Sequence, residues 1–163
     1  MKEIRDIYLF IIGLVICIIV TCGIYYRDHN IKEIEINSEK VTMGTLDDLA
    51  FNLENKSIVD NEKLLLSGTV YKKKESINSF HTYILLKAEK SDNHFLVLPT
   101  SLVKREDISH QYGEGGMYNY NNSGFNATIN LNKLDSNKRY EVFVLYMNND
   151  DRALYNTEIW IEL

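Results

Sequence analysis

The folded part of this protein has no cysteine, so no disulfide can support it. Both cysteines of the chain, Cys17 and Cys22, lie in one apolar stretch near the N-terminus. That usage is ordinary for a bacterial surface protein and unusual for a small eukaryotic secreted domain. Proline occurs once, at Pro99. With abundant Asn, Lys and Ile, this reads as the coding bias of an AT-rich bacterium. Positive charge is also scarce. Eighteen Lys and Arg face 23 Asp and Glu, for a net charge of −5. Lys2, Arg5, Glu3 and Asp6 cancel, so the whole excess sits on residues 27–163. A mildly acidic domain without a basic stripe argues against a nucleic-acid partner. The one cationic run, Lys72-Lys73-Lys74, reads as a solvated hairpin end.

Motifs of catalysis are missing too. The chain has no G-x-S-x-G, P-loop, H-E-x-x-H or C-x-x-C. His29, His81, His94 and His110 are scattered. His110 and Glu114 are four apart, but the glycines around them argue against a helix that would align them on a metal. Asn148-Asn149-Asp150-Asp151 offers oxygen ligands without the spacing of a calcium loop and reads as a polar turn. The sequence therefore predicts a non-enzyme with no cofactor and no metal.

What is present begins with Ile7–Tyr26, IYLFIIGLVICIIVTCGIYY, a run without charge. As a helix at ~1.5 Å per residue it would reach ~30 Å, the thickness of a hydrocarbon core. Tyr8, Tyr25 and Tyr26 stand where aromatic belts form. The run is long for a signal peptide. Cys17 follows Ile16 and Cys22 follows Thr21, which suits a lipoprotein poorly. The expectation is one transmembrane helix (7–26) behind a cytoplasmic leader (1–6). A single-pass protein of the cell membrane follows, with its N-terminus inside and its C-terminal domain outside. Residues 27–45 read as a membrane-proximal stalk and 46–163 as the extracytoplasmic domain.

Within that domain strand signals recur. Leu64–Tyr71 is apolar and β-branched, Thr82–Ala88 follows, and His94–Leu98 stops at Pro99, which cannot continue a central ladder. Phe125, Ala127, Ile129 and Leu131 alternate with Asn126, Thr128, Asn130 and Asn132, a half-buried strand. Tyr140–Met147 is apolar on both faces and so belongs in the centre of a sheet. Leu154–Leu163 closes the chain. Leu49, Phe51 and Leu53 alternate and favour a strand over the helix that Thr45-x-x-Asp48 permits. Polar turns separate these segments. The predicted fold is all-β, an antiparallel immunoglobulin-like β-sandwich preceded by the transmembrane helix.

One connection, Thr100–Gly124, is longer than the others, and long loops on a rigid sandwich often carry function. It holds Arg105, Asp107, Tyr112, Tyr118 and Tyr120, the candidate ligand-binding residues. Tyrosine faces stack on sugar rings or bury against a protein, while the hydroxyl bonds polar groups. Two plainer roles stand beside that one. Asp107 can cap a short turn with Arg105 paired locally, and the tyrosines can hold the loop against the sandwich.

Several of these short motifs occur together: Leu66-Ser67-Gly68-Thr69-Val70-Tyr71, Leu85-Leu86-Lys87, Arg105-x-Asp107, Tyr118-x-Tyr120 and Ser123-Gly124-Phe125-x-Ala127-x-Ile129, then Leu134 and Tyr140. In them the chain resembles the small all-β accessory domain of Gram-positive teichoic-acid-type glycerophosphotransferases and related surface-polysaccharide proteins. The likeness spans roughly residues 48–163 and leaves out the catalytic domain. It implies a link to envelope polymers and no transferase activity. The expected function is a non-catalytic module that binds a cell-envelope glycopolymer or an envelope protein. An accessory or structural subunit of a membrane complex, in secretion or polysaccharide export, is the alternative.

Overall fold

The computed structural model describes residues 2–29, 32–36, 41–78, 80–91 and 93–163. The chain divides into two compact units, residues 1–30 and 31–163.

In the first unit, α1 (Lys2–His29) is helical throughout, so the leader and the apolar run form one element. Among the described residues no helix is long and apolar enough to cross a membrane. This corrects the transmembrane helix expected over Ile7–Tyr26. The apolar run is one part of a longer helix of 28 residues, whose ends carry Lys2, Glu3, Arg5, Asp6, Arg27 and Asp28. Within it, the Thr21 hydroxyl donates to the Cys17 carbonyl at 2.8 Å.

The second unit is a two-sheet β structure. Its strands are β1 (Lys32–Glu35), β2 (Thr42–Met43), β3 (Leu49–Val59), β4 (Lys63–Lys72), β5 (Phe80–Ala88), β6 (His94–Val97), β7 (Thr100–Val103), β8 (Gly124–Asn130), β9 (Tyr140–Asn148) and β10 (Asp151–Ile161). A short helix, α2 (Glu106–Tyr112), lies between β7 and β8. The smaller sheet runs β3-β4-β8-β7, and the larger runs β1-β6-β5-β9-β10-β2. Label the strands from β3 to β10, leaving out β6, as A to G. The smaller sheet is then A-B-E-D, and β5-β9-β10 is C-F-G, the strand distribution of an immunoglobulin-type sandwich.

The patterns read in the sequence place the core. Phe125, Ala127 and Ile129 of β8 point inward beside Leu64, Leu66 and Val70 of β4. They share one buried cluster with Ile84 and Leu86 of β5 and Val142 and Val144 of β9. Between β3 and β4 three residues connect the pair Val59 and Lys63. Asp60 and Asn61 both take positive φ (54° and 55°) and the Glu62 N–H donates to the Val59 carbonyl at 3.1 Å, a turn whose twist matches that of the strands.

At the E–F corner Tyr140 is 4% exposed, and its hydroxyl accepts the Asp135 N–H at 2.8 Å. A tyrosine at the start of strand F bonding back to the preceding backbone is the tyrosine corner of these sandwiches. Tyr140→Phe keeps the ring and orphans that N–H. We expect a loss of about 1–2 kcal/mol, seen as a lower urea midpoint at unchanged slope. An unchanged midpoint would show that water replaces the hydroxyl.

Two further expectations need correction. Residues assigned to a stalk (27–45) belong in part to the sandwich: β1 pairs with β6, and β2 runs parallel to β10. Ile34, Ile36 and Val41 pack on a second cluster of Leu85, Phe95, Phe143, Leu145 and Leu154, on the outer face of the larger sheet. That explains why Tyr140–Met147 is apolar on both faces: β9 is central and covered twice. The second correction concerns Thr100–Gly124, which is not all loop. Its first residues form β7 against β8, and Glu106–Tyr112 is α2. The irregular part is 113–123.

Candidate functional site

The B–C, D–E and F–G connections gather at one end of the sandwich, as strand polarity dictates. Hydrogen bonds join them into one platform. The Lys74 N–H donates to the Tyr120 hydroxyl at 2.9 Å. Ile77 N–H donates to the Asn119 carbonyl at 2.8 Å, and Asn119 N–H donates to the Ser76 hydroxyl at 3.0 Å. On the F–G side Asn148 is 1% exposed. Its amide donates to Glu75 at 2.5 Å and to the Ser76 carbonyl at 2.9 Å, and its oxygen accepts Asn78 N–H at 3.1 Å. Sequence reasoning missed the B–C residues Glu75 and Ser76, whose polar character gives no sign of what they bond. Asn148 opens a turn already noted for its oxygens, and its amide locks two loops together. Among the described residues no group of three or more His, Cys, Asp and Glu could hold a metal.

The five candidate residues separate into three roles. Arg105 is a clamp. Its Nη1 meets both carboxylate oxygens of Glu54 at 2.7 and 2.8 Å, and its Nε and Nη2 meet Asp107 at 2.9 and 2.7 Å. Hydrogen bonds to Asp107 and then Glu54 raise the guanidinium pKa further above its ordinary value. The Arg105 guanidinium holds the Asp107 carboxyl below the usual carboxylate range. With its fork spent on two carboxylates, Arg105 ties α2 to β3. The local pairing of Arg105 and Asp107 is what the plainer sequence reading anticipated. The capping part of that reading is different: Arg105 occupies the N-cap of α2, without a side-chain cap bond.

Tyr120 is a core residue. It is 2% exposed, its ring lies 4.3 Å from that of Tyr71, and burial pushes its hydroxyl pKa up. Its N–H donates to the Ser109 hydroxyl at 2.6 Å, fixing the loop to α2.

Tyr112 and Tyr118 are the accessible pair. Tyr112 is 48% exposed, with its ring 6.1 Å from Tyr71. Tyr118 is half-buried and stacks on Tyr120 at 6.2 Å and 16°. It lines an open groove of about 640 Å³ with Glu106, His110, Asn119 and Asn121. Tight backbone geometry shapes the rim. A Cβ on Gly113 would stand 2.3 Å from the Ser109 carbonyl oxygen. Gly115 and Gly116 have φ of 72° and 96°, the left-handed region that glycine favours.

A second cleft, of about 560 Å³, opens between β2 and the F–G turn. Its one lysine, Lys72, is held by Asp151 at 2.8 Å and Glu75 at 3.0 Å. Those bonds raise its pKa. The Lys72 ion pairs of that cleft are already made, and Arg152 also lines it, whereas the Tyr118 groove offers an aromatic ring beside amides with bonding capacity to spare. Compared with family models, with curated proteins and with solved structures, this chain matches none.

Proposed function

We propose that this protein is a non-catalytic binding module that engages a cell-envelope glycopolymer through the loop end of its sandwich. The observation that carries this reading is the Tyr118 groove, lined by the D–E connection, which hydrogen bonds to the B–C loop hold in place. A preorganised surface loses little conformational entropy on binding. A half-buried aromatic ring flanked by amides suits a sugar, whose C–H face stacks while its hydroxyls bond. The resemblance to surface-polysaccharide proteins points the same way.

The test is co-sedimentation of the full chain with purified bacterial envelope, before and after removal of wall glycopolymers. We expect the protein to pellet with intact envelope, to stay in solution with stripped envelope, and to lose at least fivefold in binding on Tyr118→Ala. Equal pelleting with both preparations would sink the glycopolymer reading.

A further inference from the structure

We propose that the ligand of the Tyr118 groove is an uncharged, hydroxyl-bearing sugar ring and not a phosphate-bearing polymer. The inference rests on the binding-module reading and narrows it. It also runs against the chemistry that the teichoic-acid resemblance brings to mind.

Charge decides the point. No lysine or arginine is among the described residues that line the groove, whose side chains with polar groups are Glu106, Ser109, His110, Tyr118, Asn119 and Asn121. The two cations beside it in sequence are engaged. Lys104 pairs with Glu106 at 2.5 Å, and Arg105 is divided between Glu54 and Asp107. A polyanion gains affinity by replacing its counterions with protein cations. Here it would meet carboxylates already paired, on a domain carrying the chain's whole net charge of −5.

The neutral groups of the groove suit hydroxyls. Asn119 Oδ1 accepts the Asn121 N–H at 3.0 Å, which orients the Asn119 amide and leaves its NH₂ to donate outward. The Asn121 side chain and the His110 ring make no hydrogen bond within the described residues. Asn and His supply donors and acceptors together, and a sugar hydroxyl is both at once. The Tyr118 ring, backed by Tyr120, provides a stacking face.

The test uses the full chain in affinity electrophoresis and calorimetry with three probes: a soluble neutral glucan, N-acetylglucosamine oligomers and poly(glycerol phosphate). We expect a neutral probe to bind with less than a twofold change between low and moderate salt. Poly(glycerol phosphate) should bind at least tenfold more weakly. Asn121→Ala, which keeps the Asn119 Oδ1 bond to the residue-121 N–H, should weaken the neutral probe at least threefold. Tighter binding of poly(glycerol phosphate), falling steeply with salt, would overturn this inference and leave the binding-module reading standing. Binding of neither probe class would overturn both. Glu106→Lys is the control for location: it should raise poly(glycerol phosphate) binding several-fold if the groove is where ligands sit.

Discussion

Tyr120→Ala is expected to cost about 4 kcal/mol, enough to leave a marginal domain largely unfolded at 37 °C. The ring fills the base of the D–E loop at 2% exposure, packed on Tyr71 at 4.3 Å and under Tyr118 at 6.2 Å. Alanine removes that volume where β4 is fixed on both edges by β3 and β8, so the cavity cannot close by a strand shift. It also removes the acceptor of the Lys74 N–H. Tyr120→Phe separates the two effects and should cost only about 1 kcal/mol, the hydrogen-bond share. Tyr118→Ala, on the groove side of the same stack, should cost about 1 kcal/mol in stability and most of the binding. Equilibrium urea denaturation of the three variants checks this ordering. A loss under about 1.5 kcal/mol for Tyr120→Ala would mean the ring belongs to a binding surface after all.

That contrast shows where the sequence was legible. Period-two alternation named Phe125, Ala127 and Ile129 as the inward residues of β8, because one face of that strand is dry and the other wet. Leu131, the fourth of that series, lies past the strand in a 3-10 turn. Apolarity on both faces of Tyr140–Met147 placed β9 in the centre. The tyrosines of the long loop were found, but their roles were not separable. Tyr118 and Tyr120 are two apart and identical in chemistry. One is buried and the other accessible because the Ser109 hydroxyl and the Lys74 N–H reach Tyr120, and Lys74 lies on a different loop, far away in sequence. Arg105 and Asp107 read as candidate ligand contacts because Glu54, on β3, could not be foreseen as the third member of their cluster. The transmembrane expectation rested on residue type along Ile7–Tyr26, and no helix among the described residues is long and apolar enough to cross a membrane.

The domain boundary was missed for a related reason, and it carries the other large effect. Residues 46–163, the domain as the sequence set it, should be less stable than residues 27–163 by about 4–6 kcal/mol. Trimming to residue 46 deletes β1 and β2 and removes Ile34, Ile36 and Val41 from the cluster of Leu85, Phe95, Phe143, Leu145 and Leu154. Each deleted side chain is partly buried, worth about 1 kcal/mol, and the face it leaves takes up a similar area of water contact. Five large apolar side chains would then share one open sheet face, a patch of the size that drives association. The trimmed form should bind a hydrophobic dye and self-associate on a sizing column, while residues 27–163 do neither. Gly44→Ala makes the same point with one methyl. Gly44 lies so close to the Tyr155 ring that a Cβ would come within 2.1 Å of it. Tyr155 is 4% exposed and set edge-on against Tyr146, so the ring has nowhere to go. The substitution should pry β2 from β10 and cost about 2–3 kcal/mol, as overpacking does. Equal stability of the trimmed and longer forms would show that β1 and β2 only rest on the sheet. A loss on trimming with no effect of Gly44→Ala would place the stabilisation in Ile34 and Ile36 at the β6 edge, and none of it at β2.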